Sequence, residues 1–152
     1  MKKLGLLIVL SFYLGTLVLG QEPTSESLEV DDIQIDVKSV ALSKNADTAT
    51  VELFLISYKK GTREFKLNSF ASGIVDSGGK TYLYNSMQIG KVLVQVTDRQ
   101  NYIHYLLEED EPVRLIVKTI GWKKQWGKPQ QFKLAFEDSE EEGKFLEVII
   151  DL

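Results

Sequence analysis

The sequence contains no cysteine and only one histidine, His104. Without cysteine the chain has no disulfide, no thiolate and no thiol for lipid attachment. Zinc prefers cysteine and histidine ligands, so we expect no zinc site built from protein side chains. A nucleophile usually needs a histidine as its base, and the stretch Tyr102 to Tyr105 places His104 in a strand-like pattern, with no glycine elbow around any serine. We therefore interpret His104 as a packed or surface residue and expect no catalytic residues.

Other motifs are also missing. Neither GxGxxG nor GxxxxGK[ST] occurs, so we predict no phosphate loop and no cofactor. The formal net charge of −4 argues against general affinity for nucleic acid or anionic lipid, because both need basic surfaces. The chain also lacks an N-x-[ST] glycosylation acceptor, and together with the missing cysteines this favours a bacterial exported protein.

The N-terminal region has the three-part pattern of a secretory signal. Lys2 and Lys3 precede an apolar run from Leu4 to Leu19, after which the sequence becomes polar. This run of 16 residues is shorter than the roughly 20 that cross a bilayer as a helix. We predict that residues 1 to 20 are a signal peptide cleaved after Gly20, which leaves no membrane span and a secreted or periplasmic protein. Retention as an uncleaved anchor is the alternative.

The mature chain is predicted to contain one domain. Residues 21 to 30 are polar and are predicted to be a disordered linker, and residues 31 to 152 are enough for a single domain with its own core. No segment of this domain shows a helical apolar stripe, and turn signals recur about every 8 to 12 residues. This pattern predicts an all-β fold, an antiparallel β-sandwich of about eight or nine strands.

Three local patterns define the predicted strands most clearly. Alternation begins at Ile33 and slips by one residue near Ser39, which predicts a first strand with a bulge. The segment Val51 to Ile56 is apolar on both faces in its second half, which predicts a central strand. Gly78 and Gly79 separate two short apolar runs and predict a tight hairpin, because glycine adopts positive φ without strain.

These segments, in this order, resemble a family of exported bacterial immunoglobulin-like β-sandwich domains of unknown function. The mycobacterial secreted immunoprotective antigens have a similar sandwich. The resemblance spans roughly residues 30 to 120, and its most local element is D-x-G-G-x-x-Y from Asp76 to Tyr82. It implies an immunoglobulin-like fold and an extracytoplasmic adhesion, binding or assembly role, with no catalytic residues. The chain departs from the family at Ser57-Tyr58, where an asparagine is common, and the C-terminal third has no counterpart.

One basic and aromatic segment, GWKKQWGKP, contains both tryptophans of the chain. Two interpretations remain open: the rings form an exposed recognition platform with lysines around it, or at least one tryptophan caps the end of the sandwich. The candidate residues for binding a ligand or partner are Trp122, Lys123, Lys124, Trp126 and Lys128.

Two connections are dense in carboxylates, residues 108 to 111 and residues 137 to 142. Calcium binds oxygen ligands alone, so Glu137, Asp138 and Glu140 are a possible calcium site. Neither connection follows the spacing of a dedicated calcium loop, and polar residues are expected between strands. We therefore predict solvated loops and no metal.

The sequence thus predicts an exported binding or assembly module without enzymatic activity. Its expected partner is an extracytoplasmic protein or a glycan, and the oligomeric state is left open. The alternative function is a carbohydrate-binding module that uses Trp122 and Trp126. A third hypothesis is a hydrolase with carboxylate chemistry, for which the sequence supplies no evidence either way because acidic residues are plentiful.

Overall fold

The computed structural model describes residues 27 to 152, so the predicted signal peptide and residues 21 to 26 lie outside the described residues. No helix in this range is long and apolar enough to cross a bilayer. Its only helical elements are two short 3-10 turns, Val96–Asp98 and Lys124–Trp126. The strands are β1 Leu28–Val30, β2 Ile33–Leu42, β3 Thr48–Ser57, β4 Arg63–Asn68, β5 Gly73–Val75, β6 Thr81–Tyr82, β7 Ser86–Ile89, β8 Val92–Gln95, β9 Tyr102–Leu107, β10 Val113–Ile120, β11 Gln131–Glu137 and β12 Phe145–Asp151.

The strands form two antiparallel sheets. Sheet A has the order β1-β2-β3-β10-β7-β8. In sheet B, β12 pairs with β11, and β11 pairs on its other side with both β4 and β5. Strand β9 pairs with β4, and β6 pairs with β5. The predicted all-β antiparallel architecture is confirmed.

The predicted number of strands, eight or nine, is too low, because the described residues contain twelve. Strands of two to four residues are too short to show a clear alternation, and several were merged with their neighbours or missed. Strands β4 and β5, for example, are separated by a tight turn, in which the Ser72 hydroxyl donates to the carbonyl of Asn68 at 2.8 Å. The end of the predicted linker is also ordered, since Leu28–Val30 pair with β2. Asp31 and Asp32, both at positive φ, form the two-residue turn of this hairpin.

The bulge in the first strand lies at the position predicted from the sequence. Val37 pairs with Leu53 and Ser39 pairs with Glu52, so Lys38 is an extra residue in β2. Because of this insertion, apolar side chains on both sides of the slip face the interior. The bulge therefore lets β2 contribute to the core along its whole length.

The core lies between the two sheets. The predicted central strand is confirmed, because β3 lies between β2 and β10. Its inward residues are fully buried, whereas Phe54 and Ile56 on the outer face are half-buried. The largest fully buried side chains come from both sheets and include Ile33, Leu53, Phe65, Leu67, Tyr84, Met87, Phe132 and Phe136.

Candidate functional site

The predicted aromatic segment is the connection between β10 and β11. It leaves β10 at Gly121, whose φ of 80° favours glycine, and the amides of Gly121 and Trp122 both donate to the carbonyl of Asp47. The indole Nε1 of Trp122 donates to the carbonyl of Gly127 at 2.8 Å, which closes the loop on itself. Trp122 is only 3% exposed, whereas Trp126 is half-buried.

Three rings at this end of the molecule form one aromatic cluster, defined as Tyr82, Trp122 and Trp126. The Tyr82 and Trp126 ring centroids are 4.1 Å apart with planes inclined by 31°. The two indoles are 5.4 Å apart and nearly perpendicular, at 88°. Such edge-to-face packing is a favourable arrangement for buried aromatic rings. The two tryptophans therefore have no common flat face. Of the two, only Trp126 is partly exposed, because Trp122 is buried.

The D-x-G-G-x-x-Y motif supports this cluster from the β5–β6 hairpin. The Oδ1 atom of Asp76 accepts hydrogen bonds from the amides of Gly78 at 2.8 Å and Lys80 at 2.9 Å, while Oδ2 accepts from the hydroxyl of Tyr82 at 2.9 Å. The amide of Lys80 is the largest of the contacts that hold the pKa of Asp76 below its ordinary value. Burial and the bond to Asp76 raise the pKa of Tyr82. The motif thus orients the Tyr82 ring against the tryptophans.

The structure separates the predicted basic residues. The ammonium of Lys123 lies 5.6 Å from the centre of the Trp126 ring, at the distance of a cation–π contact. Lys124 is exposed on the 3-10 turn. Lys128 is exposed and lines a cleft to which none of the three rings contributes. The structure therefore groups Trp122, Trp126 and Lys123, and it adds Tyr82, which the sequence did not identify as part of a site.

The acidic residues of the β11–β12 connection bind lysines and backbone amides. Oε1 of Glu137 accepts from Lys66 at 2.9 Å and from the amide of Gly143 at 2.8 Å. Asp138 accepts from Lys144 and from the amide of Glu140, both at 2.9 Å. These partners hold the pKa of Glu137 and of Asp138 below their ordinary values, mainly through Lys66 for the first and the Glu140 amide for the second. Between residues 27 and 152 no group of three or more potential ligands is arranged to hold a metal.

A buried ion pair that the sequence did not reveal lies at the same end as this acidic connection. Arg63, 4% exposed, donates to Oδ2 of Asp31 at 2.8 Å. Ser139 donates to the same carboxylate through its amide at 3.0 Å and its hydroxyl at 2.7 Å. Burial alone would raise the pKa of Asp31, but the bonds from Ser139 and Arg63 outweigh it and lower the pKa. The pair joins the β1–β2 turn, β4 and the β11–β12 connection.

His104 lies on the outer face of β9. Its Nδ1 atom is 2.5 Å from Oε1 of Glu64 on the neighbouring strand β4, and both side chains are more than half exposed. This pair is a surface contact, in agreement with our interpretation of His104 from the sequence.

Strand β12 has an open edge within the described part of the chain. Its only strand partner there is β11. The amide of Leu152 donates to the carbonyl of Gln130 at 2.9 Å. This bond shows which residues of β12 form hydrogen-bonded pairs with β11. Bonded positions alternate in an antiparallel ladder, so every second residue of β12 bonds to β11 and the others point away from it. The residues whose N–H and C=O groups point away are Phe145, Glu147, Ile149 and Asp151.

A cleft of about 530 Å³ lies at the C-terminal end of this edge, where Leu152 follows β12. One wall comes from the second half of β2, and the other comes from residues 128 to 130, which precede β11, and from Leu152. We call it the β2–β12 cleft; its lining residues are Val40, Ala41, Leu42, Lys128, Pro129, Gln130 and Leu152. The apolar members are partly covered, because Val40, Leu42 and Leu152 pack against the core from the rim.

Neither the open edge nor the cleft could be identified in the sequence, because each depends on which strands are neighbours. Comparison of the chain with known protein families, curated proteins and solved structures finds no match.

Proposed function

We propose that the chain is an exported, non-enzymatic module with an immunoglobulin-like sandwich, which binds another protein in the bacterial envelope or outside the cell. The strand order supports the immunoglobulin-like form of the sandwich. Strand β3 pairs with β10, β4 pairs with β11, and β11 pairs with β12. The first two pairings join segments far apart in the chain, as the Greek-key connections of immunoglobulin-like domains do.

The observation that carries the binding role is the open edge of β12. This strand is seven residues long and ends a sheet without a covering strand in the described range. Ile149, 50% exposed on its outer face, adds an apolar contact position beside the unpaired backbone. The unpaired N–H and C=O groups of an edge strand are a template for pairing with another chain. Such an edge is a direct means of binding a partner.

Site-specific photo-crosslinking in the cells that produce the protein tests this function. A benzophenone side chain at position 149 is expected to yield one adduct of defined mass, formed with the exported chain that begins at Gln21. The matched control carries the same group at Leu93, which is 55% exposed on the edge strand β8 of sheet A. The proposal fails if neither position 149 nor position 93 yields a defined adduct. It also fails if the protein remains in the cytoplasm with residues 1 to 20 attached.

The carbohydrate-binding alternative has one observation in its favour, the exposed part of Trp126. This ring is held at a fixed inclination by Tyr82 and has a lysine close by. A sugar would then contact one ring rather than the two predicted from the sequence. Glycan-induced changes in tryptophan fluorescence that disappear in Trp126→Ala would support this alternative, and binding that survives the substitution would exclude this surface.

A further inference from the structure

We infer that the open edge of β12 and the β2–β12 cleft receive one extended segment of a different protein. The segment adds a strand to sheet B, with apolar residues turned toward the core side of the sheet, one end at the cleft, and basic residues turned toward solvent. This inference rests on the proposed function and adds the form and the chemistry of the partner.

The backbone of β12 determines the form of the partner. Groups that point away from β11 recur at every second residue from Phe145 to Asp151, which is the spacing of an unpaired strand. An extended peptide satisfies all of them at once, and a helix or a compact loop does not. Addition of a strand to a sheet edge is an established mode of peptide recognition, in which main-chain bonds supply affinity and alternate side chains supply specificity.

The core side of β12 determines one face of the added strand. Leu146, Val148 and Ile150 point from β12 toward the core, and the β2–β12 cleft continues this side beyond the end of the strand at Leu152. Residues of the partner opposite Leu146, Val148 and Ile150 point to the same side of sheet B. Apolar side chains there would cover the partly exposed aliphatic rim of the core. Each such group gains about 25 cal/mol for every Å² that it removes from water.

The outer side chains of β12 determine the charge on the other face. Glu147 and Asp151 point outward and are exposed, as is Ile149 between them. Among residues 27 to 152, only Lys133 balances them directly, through a 2.9 Å contact with Glu147. Opposite charges on neighbouring strands stabilise a pair, and like charges directly opposite destabilise it. A partner with lysine or arginine at alternate positions therefore fits this row.

The same row disfavours a second copy of this chain. An antiparallel β12–β12 pair centred on Val148 would place the Glu147 and Asp151 side chains of both copies on one surface. In this register Glu147 lies opposite Ile149 and diagonal to the carboxylates of the other copy, close enough for the like charges to weaken the pair. Charged edge residues are a known means by which proteins prevent self-pairing. The charged row thus disfavours self-pairing of β12 and favours pairing with a basic strand.

Synthetic peptides and amide hydrogen exchange test the inference on the mature chain. The probe is the capped peptide KVKVKVKV, and its controls are the block isomer KKKKVVVV and the acidic analogue EVEVEVEV. We expect the probe to slow exchange of the amides of Phe145, Glu147, Ile149 and Asp151. The amides between them, which already bond to β11, should change little. Both control peptides should bind at least about tenfold more weakly.

Two variants identify the contacts. Ile149→Pro removes an N–H group that makes no bond to β11, so the sheet is retained while peptide binding falls about tenfold or more. The double charge reversal E147K/D151K should reverse the preference for the basic peptide, so that EVEVEVEV binds more tightly than KVKVKVKV. Leu93→Lys is the matched control and should leave both peptides unaffected. Circular dichroism confirms that each variant is folded.

Three results would overturn the inference: equal binding of the block isomer, protection at the edge of β8 or β9 instead, or concentration-dependent self-association that Ile149→Pro abolishes. If the peptides fail but position 149 still crosslinks to a partner in cells, the proposed function stands and only the strand-addition mode is excluded. If neither experiment gives binding, both are excluded.

Discussion

Trp122 and Trp126 lie in the same loop, but their environments differ. Trp122 is almost fully buried, and its indole nitrogen holds the loop closed, whereas Trp126 rests on Tyr82 with part of its ring in solvent. The first therefore has a structural role and the second is available for contact. From the sequence alone both roles remained open, because the assignment depends on the distant Asp76 and Tyr82.

Alanine substitutions should distinguish the two tryptophans. Trp122→Ala is expected to lower the free energy of unfolding by about 3 to 5 kcal/mol, since it leaves a cavity and removes a bond to Gly127. Trp126→Ala should cost about 1 kcal/mol, because its ring is only half-buried. Urea unfolding followed by far-UV circular dichroism measures both values. Equal losses would contradict the assignment of a structural role to Trp122 alone.

The buried pair of Arg63 and Asp31 shows why some residues were missed. In the sequence Arg63 follows a run of lysines and looks like a solvated loop residue. In the fold it starts β4 on the inward side, where an aspartate from the β1–β2 turn neutralises it. An arginine in the core requires such a partner, but only the tertiary structure shows which carboxylate supplies it.

The structural elements that could be predicted are those determined by a local sequence pattern. The phase slip at Ser39, the glycine pair at 78 and 79, and the two-sided apolar segment of β3 correspond to a bulge, a hairpin and a central strand. Strands β1 and β7 were not predicted as separate strands, because three or four residues carry too little pattern. The contact between the β5–β6 hairpin and the aromatic loop follows from pairing of β5 with β11, a long-range choice that alternation does not encode.

The bulge in β2 allows a sharp test at the scale of one element. Deletion of Lys38 removes the extra residue and leaves Val37, Val40 and Leu42 on the same face, so the domain should still fold. The expected loss is about 0.5 to 1 kcal/mol, mainly from the contact of Lys38 with the Phe54 ring. Thermal or urea unfolding measures the change.

Deletion of Asp36 is the matched control for the same strand. Without Asp36, the residues of β2 on one side of the deletion must turn their apolar side chains outward. This variant should be much less stable than the variant that lacks Lys38. Equal stability of the two deletions would show that register in β2 is not set by its apolar pattern.

For the whole molecule, the ionised carboxylates predict how stability depends on pH. Asp31, Asp76, Glu137 and Asp138 have lowered pKa values in the folded chain. Their contribution is complete above the unfolded pKa values of about 4 and is lost as pH falls through the lower folded values. Lys66 and Lys144 have raised pKa values, so their contribution is lost only as pH rises above about 10.

We therefore expect a plateau of stability from about pH 5 to pH 10 and a steep loss in acid. Asp31→Asn should make the acid side of this profile shallower, because it removes one of the carboxylates whose protonation is linked to unfolding. Glu111→Gln, at an exposed position in the β9–β10 connection, is the control and should leave the acid side unchanged. Urea unfolding at pH 2 to 7 gives the profile, and the opposite order of the two variants would contradict the prediction.

The two indoles at one end of the sandwich also make tryptophan fluorescence a local probe of that end. Both tryptophans of the chain lie in this loop, 5.4 Å apart, so the intrinsic tryptophan emission arises from a single location. That location is the loop after β10, and the emission therefore reports when this end opens. A strand that docks beside β12 would be seen only through its effect on Lys128 and Pro129, the residues that link the loop to the cleft. An added fluorophore near Phe145, compared with the native indoles, would time the opening of the two ends separately.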